Sequence, residues 1–149
     1  MNNLEAVDAL SSIQRTEGRL ANHARWSFGR HAMFGLMEGL IIAGVAQPIA
    51  VCGAMTAAGL ALMAACIMED RRRHGMFVSG WQPGATRPLM IILMLLVAAL
   101  LAASLWVRNG ETIQPLGFAI GAVAFVVCTA ASLRWEKLYR AELGKGGQR

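Results

Sequence analysis

Charge is scarce in this chain of 149 residues. Asp, Glu, Lys and Arg together make up 15% of it, where soluble domains carry about 25%. With 56% hydrophobic residues and a mean hydropathy of +0.47, that shortage moves the chain from the soluble class to the membrane class. Cysteine is scarce too. Cys52, Cys66 and Cys128 all lie inside apolar runs without a Cys-x-x-Cys spacing, which excludes a disulfide framework or a thiolate metal site and leaves them as small packing groups. Histidine is absent from the interior of every apolar run. His23, His31 and His74 lie at or outside the boundary read below as cytoplasmic, so no pair of axial ligands is offered to a haem. The pairs Met33 and Met37, and Met90 and Met94, recur at i, i+4 as a soft-metal path would, but read as adaptable packing groups. No metal and no cofactor is expected. Nucleophile–base pairs, a glycine-rich phosphate loop and paired carboxylates are lacking as well, so the chain is not expected to be an enzyme. A cleavable signal peptide is not expected either, because the first thirty or so residues are polar and of mixed charge.

What the chain does have is long apolar runs. From His31 to Met68 only Glu38 is formally charged, and about 20 residues suffice to span a bilayer, so this run holds two helices. Gln47-Pro48 is the natural break, since proline ends a helix at the residue before it. Leu89 to Val107 makes a third span, Arg108-Asn109-Gly110-Glu111 a tight polar turn, and Ile113 to Leu133 a fourth. The expected fold is all-α, an antiparallel bundle of four transmembrane helices with spans at about 31–47, 49–68, 89–107 and 113–133. Residues 1–30 form a cytoplasmic segment in which Leu4, Val7, Leu10, Ile13 and Leu20 recur at helical spacing, giving a short amphipathic helix on the membrane surface or on a partner, or a solvated one. Residues 134–149 form a basic tail. Two clusters read as interfacial anchors, rings beside snorkelling cations. One is Arg25, Trp26, Phe28 and Arg30, and the other is Trp135 and Tyr139 beside Arg134, Lys137 and Arg140.

Orientation follows from where the cations fall. Of 14 Lys and Arg residues, all but Arg108 lie in the N-terminal segment (Arg15, Arg19, Arg25, Arg30), the central loop (Arg71, Arg72, Arg73, Arg87) or the tail (Arg134, Lys137, Arg140, Lys145, Arg149). The positive-inside rule then places both termini and the central loop in the cytoplasm. The formal charge of +5 is explained by orientation and by anionic lipid head groups, and nucleic acid is not an expected partner.

Helices in lipid gain no hydrophobic energy by touching, so close contact depends on small residues. Gly35, Gly39 and Ala43 stand four apart in the first span, and Gly53, Ala57, Ala61 and Ala65 make a longer ladder in the second. Ala99 and Ala103 serve the third, Gly117 and Gly121 the fourth. These faces imply a compact bundle or self-association. Glu38 lies roughly 12 Å along the first helix from Arg30, at a depth where an acid is costly and should face the bundle interior. It is either a proton or cation site or a structural hydrogen-bonding acid, with His31, seven residues earlier on the same face, as its candidate partner.

The central loop, residues 69–88, concentrates turn-forming, aromatic and basic residues. Glu69-Asp70 is read as neutralising the adjacent Arg71-Arg72-Arg73, which suit a helix C-terminus and lipid phosphates. Phe77 and Trp81 make an apolar patch that a solvated connector would not need, so the loop is expected to dock on the bilayer surface or on a partner through Arg71, Arg72, Arg73, Phe77, Trp81 and Arg87. The stretch Arg72-Arg73-His74-Gly75-Met76-Phe77-Val78-Ser79-Gly80-Trp81, with Gly84-x-Thr86-Arg87, resembles a group of small four-helix bacterial inner-membrane proteins with a basic-x-Gly-aromatic-Val-x-Gly cytoplasmic loop. The resemblance covers the loop and the hydropathy plan and implies an inner-membrane location. Gln82-Pro83 stands where a basic pair is commoner in that group, which weakens a phosphate-binding role for the loop.

The expected function is that of a non-enzymatic accessory, interaction or protective membrane protein, working through helix association and loop 69–88. Its partners would be the lipid bilayer with its anionic head groups and a second copy or another membrane protein. The competing expectation is an oligomeric transporter or channel for protons or small solutes that uses Glu38.

Overall fold

The computed structural model describes residues 26–74, 81, 84–110 and 115–146, with residues 73, 74 and 143–146 described by their backbone alone. The expected helix over residues 4–20, together with Phe77, Gln82-Pro83 and Glu111, lies outside the described residues. Among the described residues four α-helices account for the regular structure: α1 (Phe28–Val45), α2 (Ile49–His74), α3 (Thr86–Asn109) and α4 (Pro115–Gly146). Three of them, α2, α3 and α4, are long and apolar enough to cross a membrane. They leave large apolar side chains such as Ile92, Leu95, Trp106 and Val126 exposed, the build of a membrane protein, since water tolerates no such continuous apolar surface.

Each helix boundary has a local cause. Ser27 caps α1, its hydroxyl accepting from the Arg30 N–H at 3.4 Å, one of the first-turn donors that has no partner within the helix. At the far end Ala46 and Gln47 fold back onto the carbonyls of Ala43 and Gly44. Pro48 disfavours a helical conformation at Gln47, so Gln47 stands in the turn, and α1 stops short of the expected residue 47. The Pro48 carbonyl then accepts from Cys52 at 2.9 Å and starts α2. Pro88 and Pro115 each sit in a first helical turn, where a missing N–H costs nothing. At their other ends the helices outrun the expected spans. α2 runs past Met68 through Arg71 and Arg72, and α4 past Leu133 through Trp135 and Tyr139.

The shortest helix is the centre of the fold. α1 has 18 residues, roughly 27 Å, and includes Arg30, His31 and Glu38. It packs against each of the other three, most extensively against α4, then α2, then α3, and α4 also packs on α3. The α1–α4 seam is antiparallel and so close that side chains are excluded at its glycines. A Cβ on Gly35 would strike the Thr129 hydroxyl and the Phe125 carbonyl, and one on Gly39 would lie 2.8 Å from the Gly121 carbonyl oxygen. One on Gly117 would strike the Ala46 methyl group, and one on Gly121 would lie 2.7 Å from the Gly39 carbonyl oxygen. Ile42, Ala124 and Cys128 are buried nearby.

α2 uses a different face from the one its pattern implied. The ladder points away from the other described helices: Gly53 has open space where a Cβ would stand, Ala57 and Ala61 are exposed, and Ala65 is half-buried. Contact with α1 runs instead through Gly59, where a Cβ would come within 2.8 Å of Ile41 and 3.2 Å of the Met37 carbonyl oxygen. Of the two uses expected for the ladder, packing within the bundle is therefore excluded at Gly53. α2 and α3 share no extended contact, so the bundle is open between them.

Candidate functional site

The polar and aromatic side chains converge at one end of the bundle, where α1 and α3 begin and α2 and α4 finish. His31, on the first turn of α1, is only 1% exposed. Its Nδ1 lies 2.8 Å from Ser132 Oγ and its Nε2 2.8 Å from Glu136 Oε2. Ser132 and Glu136 are one turn apart on α4, so they face α1 together. An ionised Glu136 only accepts, so Nε2 carries a hydrogen; Nδ1 then accepts from the Ser132 hydroxyl in the neutral ring or donates to it in the imidazolium. Arg140, a further turn along α4, stands 3.7 Å from the other Glu136 oxygen.

Beside this group Arg30 holds Asp70. Its Nε lies 2.8 and 2.9 Å from the two carboxylate oxygens and its Nη2 2.6 Å from one of them, a fork that ties the start of α1 to the end of α2. Asp70 therefore neutralises a cation on another helix and not chiefly its neighbours Arg71 and Arg72, which are exposed. Residues next to each other in a helix point to different sides. The Arg30 guanidinium also lies 4.5 Å from the Trp26 ring centroid, and Trp26 meets Trp135 at 5.6 Å and Tyr139 at 6.3 Å. The two expected interfacial anchors are thus one cluster, with Trp135 and Tyr139 stacked at 4.9 Å.

A third tie closes the loop side. The Ala85 N–H donates to the Glu142 carboxylate, which serves as the cap that Ala85's own side chain cannot provide at the start of α3. Gly84 reaches this turn with φ +126°, a conformation open to glycine, and a Cβ there would meet the Glu142 carboxylate. Arg87 is exposed, its guanidinium 5.7 Å from the ring centroid of Trp81, so the loop tryptophan stands against the start of α3. Of the expected loop cluster, Phe77 and the side chain of Arg73 lie outside the described residues.

Between these ties lies a cavity of about 230 Å³ bordered by all four helices. Its walls are apolar, with Phe34, Met63, Ile67 and Leu93 among them, and its polar border is Arg30, Asp70 and Ser132. Glu38 takes no part in it. It is half-buried. His31 is not its partner, contrary to the sequence expectation, because the ring is held on both nitrogens by α4.

Ser132, His31 and Glu136 are the group types of a hydrolytic triad, but the serine sits in mid-helix. The N–H groups around it belong to the hydrogen-bond ladder of α4, leaving no donor pair to hold an oxyanion. The arrangement works as a clamp between helices. Asp70, Ser132, Glu136 and Glu142 were not among the expected site residues. The one sequence signal for them was a serine and an acid at i, i+4 near the end of the last apolar run, with a histidine at the start of the first. No family model matches the chain, nor does any curated protein or solved structure.

Proposed function

We propose that this chain is a four-span inner-membrane protein, with both termini and loop 69–88 on the cytoplasmic side, that acts by associating with a second copy or another membrane protein. The reading rests on one observation. Among the described residues α2 packs extensively only on α1, while its small-residue face is open at Gly53 and exposed at Ala57 and Ala61. Such a face lets another helix approach closely in lipid, where packing and not hydrophobicity drives association. The orientation is supported by the gathering of Arg30, Arg71, Arg72, Arg87, Arg134 and Arg140 at one end of the bundle, with Arg108 at the other. The three ties at the basic end stiffen the platform from which the loop would meet head groups or a partner.

The test is a photo-crosslinking residue placed at Ala61 in native membranes, with Leu95 on the exposed face of α3 as the control. An adduct of defined mass at Ala61 and none at Leu95 is expected. Crosslinking to lipid alone at both sites would overturn the association reading.

The transporter reading keeps a separate footing in Glu38, a half-buried carboxylate in the middle of α1. Its test is proton or solute flux in vesicles with Glu38→Gln. A folded variant whose flux and pH response match the wild type removes that reading.

A further inference from the structure

We propose that the cavity between α2 and α3 seats one acyl chain of an anionic phospholipid from the cytoplasmic leaflet. The inference rests on the membrane reading and not on the association reading. Its first support is the cavity itself. At about 230 Å³ it is larger than a dry apolar void of about 150 Å³ that already takes a benzene-sized guest. Its polar border, Arg30, Asp70 and Ser132, is already paired within the protein, and walls of Phe34, Met63, Ile67 and Leu93 offer water no partners, so hydrocarbon is the occupant they favour. Met37 and Met90 also line it, and flexible thioether side chains adapt to a chain that has no fixed shape.

The second support is access. α2 and α3 share no extended contact, so the cavity lies behind a gap on the side that would face lipid. The third is charge complementarity. On both flanking helices an exposed cation stands one turn from the lining and on its face: Arg71 four residues after Ile67, and Arg87 three before Met90. Arg30 is already matched by Asp70, whereas Arg71 and Arg87 are exposed and can meet a phosphate. An acyl chain in the cavity would place its head group at that end, where each basic residue near the surface adds about fivefold in affinity for an anionic lipid.

Trp135 lines the cavity and is buried, so it can report on the occupant. The full chain carrying Trp26→Phe, Trp81→Phe and Trp106→Phe would be reconstituted in phosphatidylcholine vesicles containing phosphatidylglycerol. Brominated acyl chains, which quench tryptophan, would be carried on one lipid or the other. Stronger quenching by brominated phosphatidylglycerol than by brominated phosphatidylcholine at equal mole fraction is expected. Ala131→Phe, which fills the cavity, should abolish the difference, and Met63→Phe does the same from α2 if the first variant does not fold. Arg71→Gln with Arg72→Gln and Arg87→Gln should lower the preference while leaving some quenching. Equal quenching by both lipids in correctly inserted protein overturns the proposal and leaves the membrane reading standing. Failure to insert removes both. Quenching that fades as protein is concentrated in the vesicles assigns the cavity to a second copy, which also overturns the proposal.

Discussion

His31 shows how much one side chain can change role between a sequence and a fold. As a histidine near Glu38 it has the makings of a titrating pair; buried between Ser132 and Glu136, it joins α1 to α4. Replacing it with leucine takes the ring partner from Ser132 and leaves Glu136 with Arg140 alone, and a polar group stranded in a half-buried site costs about 1–3 kcal/mol. His31→Leu should therefore lower the unfolding temperature in detergent clearly, and a wild-type transition would show that the clamp contributes nothing. Glu38→Gln keeps shape and hydrogen-bonding capacity, and should unfold like the wild type in the same assay. A large loss of stability in Glu38→Gln would mean that the ionised carboxylate holds the fold together. Gly84 is the backbone counterpart. Gly84→Ala strains a positive φ and crowds Glu142, so protease cleavage within residues 75–88 should speed up while the helical content stays unchanged.

At the scale of the helix, glycine spacing is an ambiguous signal until a neighbour is known. Gly117 and Gly121 on α4, and Gly35 and Gly39 on α1, lie where two backbones approach to within a side chain's width. Gly53, Ala57 and Ala61, at the same spacing, are exposed, with open space at Gly53 among the described residues. The two sets should respond differently to bulk. Gly121→Leu drives a side chain into the Gly39 carbonyl and should destabilise the isolated protein by at least the 1–3 kcal/mol or so typical of overpacking. Ala61→Leu should leave the monomer's unfolding unchanged while reducing crosslinked or co-purified partner. If Ala61→Leu instead weakens the monomer as much as Gly121→Leu does, α2 is packed differently from this structure.

At the scale of the molecule, a short polar-started helix is wrapped by three longer apolar ones, and all the charged ties lie at one end. The proposed topology makes that end cytoplasmic. In a cysteine-free background (Cys52, Cys66 and Cys128 replaced), an impermeant thiol reagent added outside intact cells should label a cysteine at Asn109 and miss one at Gln82. The reverse pattern would overturn the orientation and with it the leaflet assigned to the bound acyl chain.

The four apolar helices, the breaks at Pro48 and ahead of Pro88, and the membrane character of three of those helices were legible in the sequence because they depend on local properties. Hydropathy needs only a window of residues, and proline acts on its immediate neighbours. Which residues meet across helices is a property of rotation and register, which no window contains. Asp70 therefore looked like the partner of the arginines beside it and pairs with Arg30, forty positions away, and Ser132 and Glu136 carried no signal strong enough to single them out. The ladder on α2 was legible as a pattern, but its direction was not, because α1 engages the other side of that helix through Gly59. The cavity could not be read at all, since it exists only where α2 and α3 fail to meet, and the tertiary structure alone decided that.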